Sequence, residues 1–92
     1  MTALIIMGFE VDNYEEWKQL FDSDPGNRRS VARGHRISRS IDNPNEIFLA
    51  TEYASADDAR TVLERLREAG VFERFTPTLG PTITEIAEET TY

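Results

Sequence analysis

Residues 3–11, ALIIMGFEV, form an almost unbroken apolar run. Such a run predicts a strand covered on both faces, at the centre of a sheet. The apolar period then lengthens: Tyr14, Trp17, Leu20 and Phe21 follow the i, i+3, i+7 spacing of one helical face. Asp12 or Asn13 can cap that helix, with Glu15 and Glu16 three residues further on in the capping-box arrangement. The spacing predicts a helix to about Ser23. Asp24-Pro25 opens a further helical segment that ends near Ala32, because proline suits a first turn and cannot continue the preceding helix. Residues 35–41, HRISRSI, alternate as a strand, with His35, Ile37, Arg39 and Ile41 on one side and Arg36, Ser38 and Ser40 on the other. Asp42-Asn43-Pro44-Asn45 makes a tight turn. The returning strand, IFLATEYA at 47–54, is nearly as apolar as the first. Ser55 to Asp58 repeat the cap logic, and Ala59, Val62, Leu63 and Leu66 stripe a second helix over 56–69 until Gly70 stops it. After the turn-rich GVFERFTPTLGP, Thr82 to Glu88 give a last, more polar strand.

The order is βαββαβ, an α+β fold of the ferredoxin-like type with one four-stranded antiparallel sheet. Its first and third strands belong at the centre and its second and fourth at the edges, which is where the apolar and polar strands fall. Residues 1–92 are expected to form a single domain. A domain of this size buries only about 60–65% of the surface its unfolded chain exposes, so pairing with a second copy would stabilise it.

Composition narrows the chemistry. The chain has no cysteine, which removes disulfides, thiolate metal sites and thiol nucleophiles. With one histidine, a metal site has little support, and carboxylate calcium loops are absent. Leu4-Ile5-Ile6-Met7 is too short to span a bilayer, and no positively charged leader precedes it, so no membrane association and a cytoplasmic location are expected. A net charge of −7 argues against nucleic acid, whose nonspecific binding rests on phosphate neutralisation.

Against that charge, RRSVARGHRISR at 28–39 holds five arginines, the histidine and no acid. Arg33, Arg36 and Arg39 can protect an edge strand from uncontrolled pairing, and Arg28 and Arg29 can pair with acids or with a second subunit. Alternatively, some of these guanidiniums hold an anionic oxygen in a cavity, a task suited to their forked donors. Arg36 is the preferred member, because it shares a strand face with small Ser38 and Ser40. His35 is a candidate general base, being the one side chain with an unperturbed pKa near neutrality. Glu52 interrupts the apolar third strand, where a charge needs a partner or a function; Arg36 on the neighbouring strand is the expected counterion. Tyr14 and Trp17 suit either the core or the wall of an aromatic pocket.

The stretches VDNYEEWKQLFDS (11–23), GHRISRSIDNPNEIFLATEYAS (34–55) and LREAGV (66–71) are similar to the small dimeric α/β-barrel proteins related to antibiotic biosynthesis monooxygenases. The resemblance covers nearly the whole chain. It implies a homodimer whose two sheets face each other as a barrel with helices outside, and a small-molecule pocket between sheet and helices in each subunit. Within that superfamily some members oxidise polycyclic aromatic phenols with oxygen and no cofactor, and others degrade haem. The haem branch takes its iron ligand from a histidine on the second helix, and residues 56–69 contain none, so no cofactor is expected. The cofactor-free oxygenases hold substrate with aromatic and amide side chains. Their third-strand tryptophan has no counterpart here, where Glu52-Tyr53 stands near its place. The resemblance thus implies a pocket with Tyr14, Trp17 and Tyr53 for stacking, Arg36 for oxyanions, and His35 or Glu52 for proton transfer. A noncatalytic ligand-binding or structural dimer, and a cyclase or isomerase using the same pocket, are the alternatives.

Overall fold

The computed structural model describes Met1–Tyr92. Its elements are β1 (Ala3–Glu10), α1 (Tyr14–Asp22), a 3-10 segment (Pro25–Ser30), β2 (Gly34–Arg39), β3 (Glu46–Tyr53), α2 (Ala56–Glu68), α3 (Val71–Arg74) and β4 (Pro77–Glu85). The four strands form one antiparallel sheet in the order β2-β3-β1-β4. The two most apolar strands are therefore central, as their composition requires, and the whole is a ferredoxin-like α+β fold.

Register decides which side chains meet. Ile5 pairs with Thr51, Met7 with Leu49 and Phe9 with Ile47, so these alternate residues share one face, and all six are buried. The helices cover that face. The Asn13 side chain accepts the Glu16 backbone N–H at 3.2 Å, starting α1, whose Trp17 and Phe21 are one turn apart and buried. Ser55 caps α2 in the same way through Asp58 N–H at 3.2 Å, and Ala59, Val62, Leu63 and Leu66 turn inward.

The opposite face departs from the sequence reading. β1 was expected to be covered on both sides, yet Leu4 and Ile6 are only partly buried and Phe48 is exposed, because no element of the chain packs over them. The last strand also differs: it starts at Pro77 rather than Thr82 and stops at Glu85 rather than Glu88. Its glycine and prolines suggest a turn, but an edge strand tolerates proline because one row of its N–H groups has no ladder partner. Register shifts opposite Gly8 absorb the irregularity. β2 ends at Arg39, two residues early, although Ser40 N–H still reaches Glu46 O at 3.0 Å. No helix is long and apolar enough to cross a membrane.

Candidate functional site

A small cavity of about 40 Å³ lies between the helices and the covered sheet face. Its floor comes from β1 and β3, which present Met7, Phe9, Leu49, Thr51 and Tyr53. α1 supplies Trp17 and Phe21, which stack with ring centroids 5.4 Å apart. The 3-10 segment and the short α3 close the remaining wall with Arg28 and Phe72.

Arg28 reaches this position through an unusual turn. Asp24, Gly26 and Asn27 all take left-handed backbone, with φ of 57°, 74° and 54°. The Arg29 backbone N–H donates to both Asp24 carboxylate oxygens at 3.2 and 3.3 Å, tying the turn. Gly26 is needed there twice over, since a Cβ would lie 3.2 Å from Arg65 Cβ in that positive-φ conformation. The turn packs against α2 and folds Arg28 inward until it is 4% exposed. Its guanidinium carbon lies 3.8 Å from the Phe21 ring centroid, a cation–π contact. Nη1 donates to Phe21 O at a long 3.4 Å. Nη2 is 3.8 Å from Asp24 Oδ1, an ion pair too long for a hydrogen bond.

Three polar atoms are buried here with no partner outside their own cluster: Arg28 Nη2, Thr51 Oγ1 and Tyr53 OH, the two hydroxyls lying near enough to act on one another. They belong to three lining residues of the same cavity. Burial pulls the Arg28 guanidinium below its usual value, while Asp24 opposes the shift; arginine stays cationic regardless. Burial pushes the Tyr53 phenol up, with the Thr51 hydroxyl and the Arg28 charge pulling it back. Tyr53 is therefore a neutral hydroxyl at physiological pH.

The six residues singled out in the sequence fall in different places. Trp17 and Tyr53 line the cavity. Tyr14 lies at the head of α1, partly buried, with Arg39 stacked 4.0 Å above its ring. His35 pairs with Thr51 across the sheet and so faces the helix side; its ring meets Phe21 edge-on at 4.9 Å. Burial first, then the charges of Arg28, Lys18 and Arg29, lower its pKa below the usual 6.5. Arg36 and Glu52 occupy the other sheet face, in a groove of about 270 Å³ with Leu4 and Ala50. The counterion of Glu52 is Arg33 at 3.9 Å, not Arg36, because Arg36 stands opposite Ala50 in the register. His35 and Glu52 thus lie on opposite faces of the sheet.

Sequence reasoning missed Arg28 and Thr51 as cavity residues. Thr51 was findable, as the one polar member of the alternating row Ile47, Leu49, Thr51, Tyr53. Arg28 carried no such signal, since its burial depends on the turn at 24–27. No group of three or more histidine, aspartate or glutamate side chains is placed to hold a metal ion.

No family model matches the chain, and no curated protein matches it. Solved structures do. SnoaB, a cofactor-independent oxygenase from Streptomyces nogalater, solved in a mutant form, superposes with a TM-score of 0.73 at 16% identity over 96% of this chain and 95% of that one. A candidate antibiotic biosynthesis monooxygenase from Deinococcus radiodurans gives a TM-score of 0.70 at 13% identity over 100% and 98%. Rv0793 from Mycobacterium tuberculosis gives 0.66 at 19% identity over 99% and 100%. Likeness at these identities speaks for architecture and leaves chemistry open. The chain has the ferredoxin-like α+β fold of the antibiotic biosynthesis monooxygenase-like proteins.

Proposed function

We propose that this chain is a small-molecule-binding homodimer that acts as a cofactor-independent monooxygenase on an aromatic or polyketide-like substrate. The observation that carries the reading is the helix-covered cavity, an apolar chamber holding three buried polar groups, with the Arg28 guanidinium incompletely paired. Apolar walls with a few convergent polar groups are the ordinary form of a ligand site. The fold it shares with a cofactor-independent oxygenase supports the reaction class.

The chemistry needs no external reductant. When a ring CH2 beside a phenol becomes a carbonyl, the substrate gives up four electrons and dioxygen takes them. One oxygen atom enters the product and the other leaves as water. The chain's part is to hold the ring against Trp17 and Phe21, to exclude water, and to take the proton from the activated carbon or phenol. On the helix side His35, which lies against the cavity residue Phe21 without itself lining the cavity, is the base; Tyr53 and Arg28 hold the developing oxyanion. Arg36 and Glu52 would act only in the groove on the open face, which a second copy docked there would enclose. Since about 40 Å³ admits only a few water-sized groups, a polycyclic substrate enters by displacing the wall made by α3 and the 3-10 segment.

Oxygen uptake with a panel of polyphenols and quinols in metal-free buffer tests the reading. One dioxygen consumed per substrate oxidised is expected, and Trp17→Ala should slow it at least tenfold. An intact protein that consumes no oxygen across the panel overturns it. His35 and Glu52 stand at alternate positions of the register, both border the open-face groove and neither lines the cavity; this favours a second reading, because no acid–base pair converges on the cavity. That reading is a noncatalytic ligand-binding dimer, or a cyclase or isomerase; binding without oxygen consumption selects it, and product analysis under anaerobic conditions separates its members.

A further inference from the structure

We infer that Arg28, Thr51 and Tyr53 form a subsite for an anionic oxygen, so that the ligand held under the helices is an aromatic carboxylate or phenolate rather than a neutral ring. The assignment rests on the cavity being the ligand site, and it names what that site selects.

The cavity lining is rich in donors and poor in acceptors. Arg28 Nη2 carries N–H groups, and the Thr51 and Tyr53 hydroxyls can each donate. All three atoms are buried with no partner beyond one another, and Arg28 Nη2, which can only donate, is left orphaned, a state that costs free energy and is rare in native proteins. The other lining residues offer no cure. They are apolar apart from the Trp17 indole, itself only a donor, and none is a carboxylate or an amide. Asp24 approaches Arg28 Nη2 only to 3.8 Å and does not line the cavity. The partner missing from Arg28 Nη2 is therefore an acceptor, and an oxygen bound there lies beside two hydroxyls able to donate to it as well.

Charge decides which acceptor. Arg28 is the only ionised residue of the lining, in a chain whose net charge is −7. A positive group in an apolar chamber favours an anion over a neutral carbonyl or a water molecule, because the medium screens it weakly. About 40 Å³ suits the carboxylate or phenolate head alone, and the ring enters by displacing the wall made by α3 and the 3-10 segment.

Benzoate and its neutral isostere benzamide test the subsite. The sole tryptophan, Trp17, lines the cavity, so its fluorescence and its indole N–H resonance report occupancy, with calorimetry as an independent measure. Benzoate is expected to bind about tenfold or more tightly than benzamide, through a charge-assisted contact. Arg28→Met should abolish that preference, weakening benzoate while leaving benzamide unchanged. Tyr53→Phe removes one donor without altering shape; it should weaken benzoate severalfold and keeps the test intact if Arg28→Met folds poorly. Equal binding of the two probes, no benzoate binding at millimolar concentration, or undiminished benzoate binding by both variants overturns the assignment. Phenolate ligands are covered by a nitrophenol titrated above and below its own pKa, with tighter binding expected above it. Because oxygen is not read, selective benzoate binding by a chain that never consumes oxygen sinks the monooxygenase reading and leaves the subsite standing. Undiminished oxygen uptake by Arg28→Met does the reverse.

Discussion

His35 and Arg28 were neighbours in one basic stretch, and the fold gave them different environments. Arg28 is buried beneath the turn, while His35 stays largely exposed on an edge strand. Lys18 and Asp22 on α1, with Arg28 and Arg29 from the 3-10 segment, are the charges acting on His35; burial and the three cations together outweigh the single acid. The sign of the pH effect follows. A lowered folded-state pKa means that the unfolded chain binds the extra proton first as pH falls below about 6.5, so stability drops from there through the folded pKa. Since His35 is the only histidine, the thermal midpoint between pH 7 and 5 should fall, and His35→Gln should flatten that slope. Proton NMR should place the imidazole pKa below 6.5. A value at or above 6.5 contradicts the packing of His35 against Phe21 and the nearby cations.

Element boundaries show where local pattern suffices and where it does not. Both long helices begin at the asparagine and serine their sequences offered as caps, because capping is decided within four residues. β4 begins five residues before its local pattern indicates, because its pairing with β1 is decided across the sheet, out of reach of local turn signals. Gly80 shows the constraint: its φ is +66°, and a Cβ would sit 2.4 Å from Ile6 O. No rotamer relieves a clash with backbone. Gly80→Ala should therefore cost on the order of 1–3 kcal/mol, read as a lower urea midpoint, with hydrogen exchange quickened in β4 and at the β1 amides facing it. Unchanged stability would mean that β4 pairs differently with β1.

For the whole molecule, the question is what covers the second sheet face. Gly8 of β1 pairs with Phe48 on one side and Leu79 on the other, and these two side chains are 38% and 50% exposed. With Leu4 and Ile6 they make an apolar surface across the sheet that solvent disfavours. We expect two copies to associate through it. Sedimentation at micromolar concentration should show a two-chain species, and Phe48→Glu with Leu79→Glu should convert it to monomer without loss of helix or strand signal. A wild-type monomer at that concentration refutes the homodimer and, with it, the enclosed groove around Arg36 and Glu52.

Periodicity alone determined the order of the four strands and the two long helices, the starts of those helices, and which strands are central, because apolar burial and capping act on neighbours in sequence; the short α3, in a stretch that reads as turn, it did not. Trp17 was legible as a candidate pocket residue because it sits in the apolar row of α1, whereas Tyr53 was implied only by the family resemblance. The tertiary structure alone decided that His35 and Glu52 face away from each other, that Arg33 rather than Arg36 partners Glu52, and that Arg28 is the cation in the cavity. Those facts depend on register and on a left-handed turn held against α2. A one-residue change of register moves a side chain to the opposite face of a sheet, and nothing within the arginine-rich stretch itself records which of its members the turn would bury.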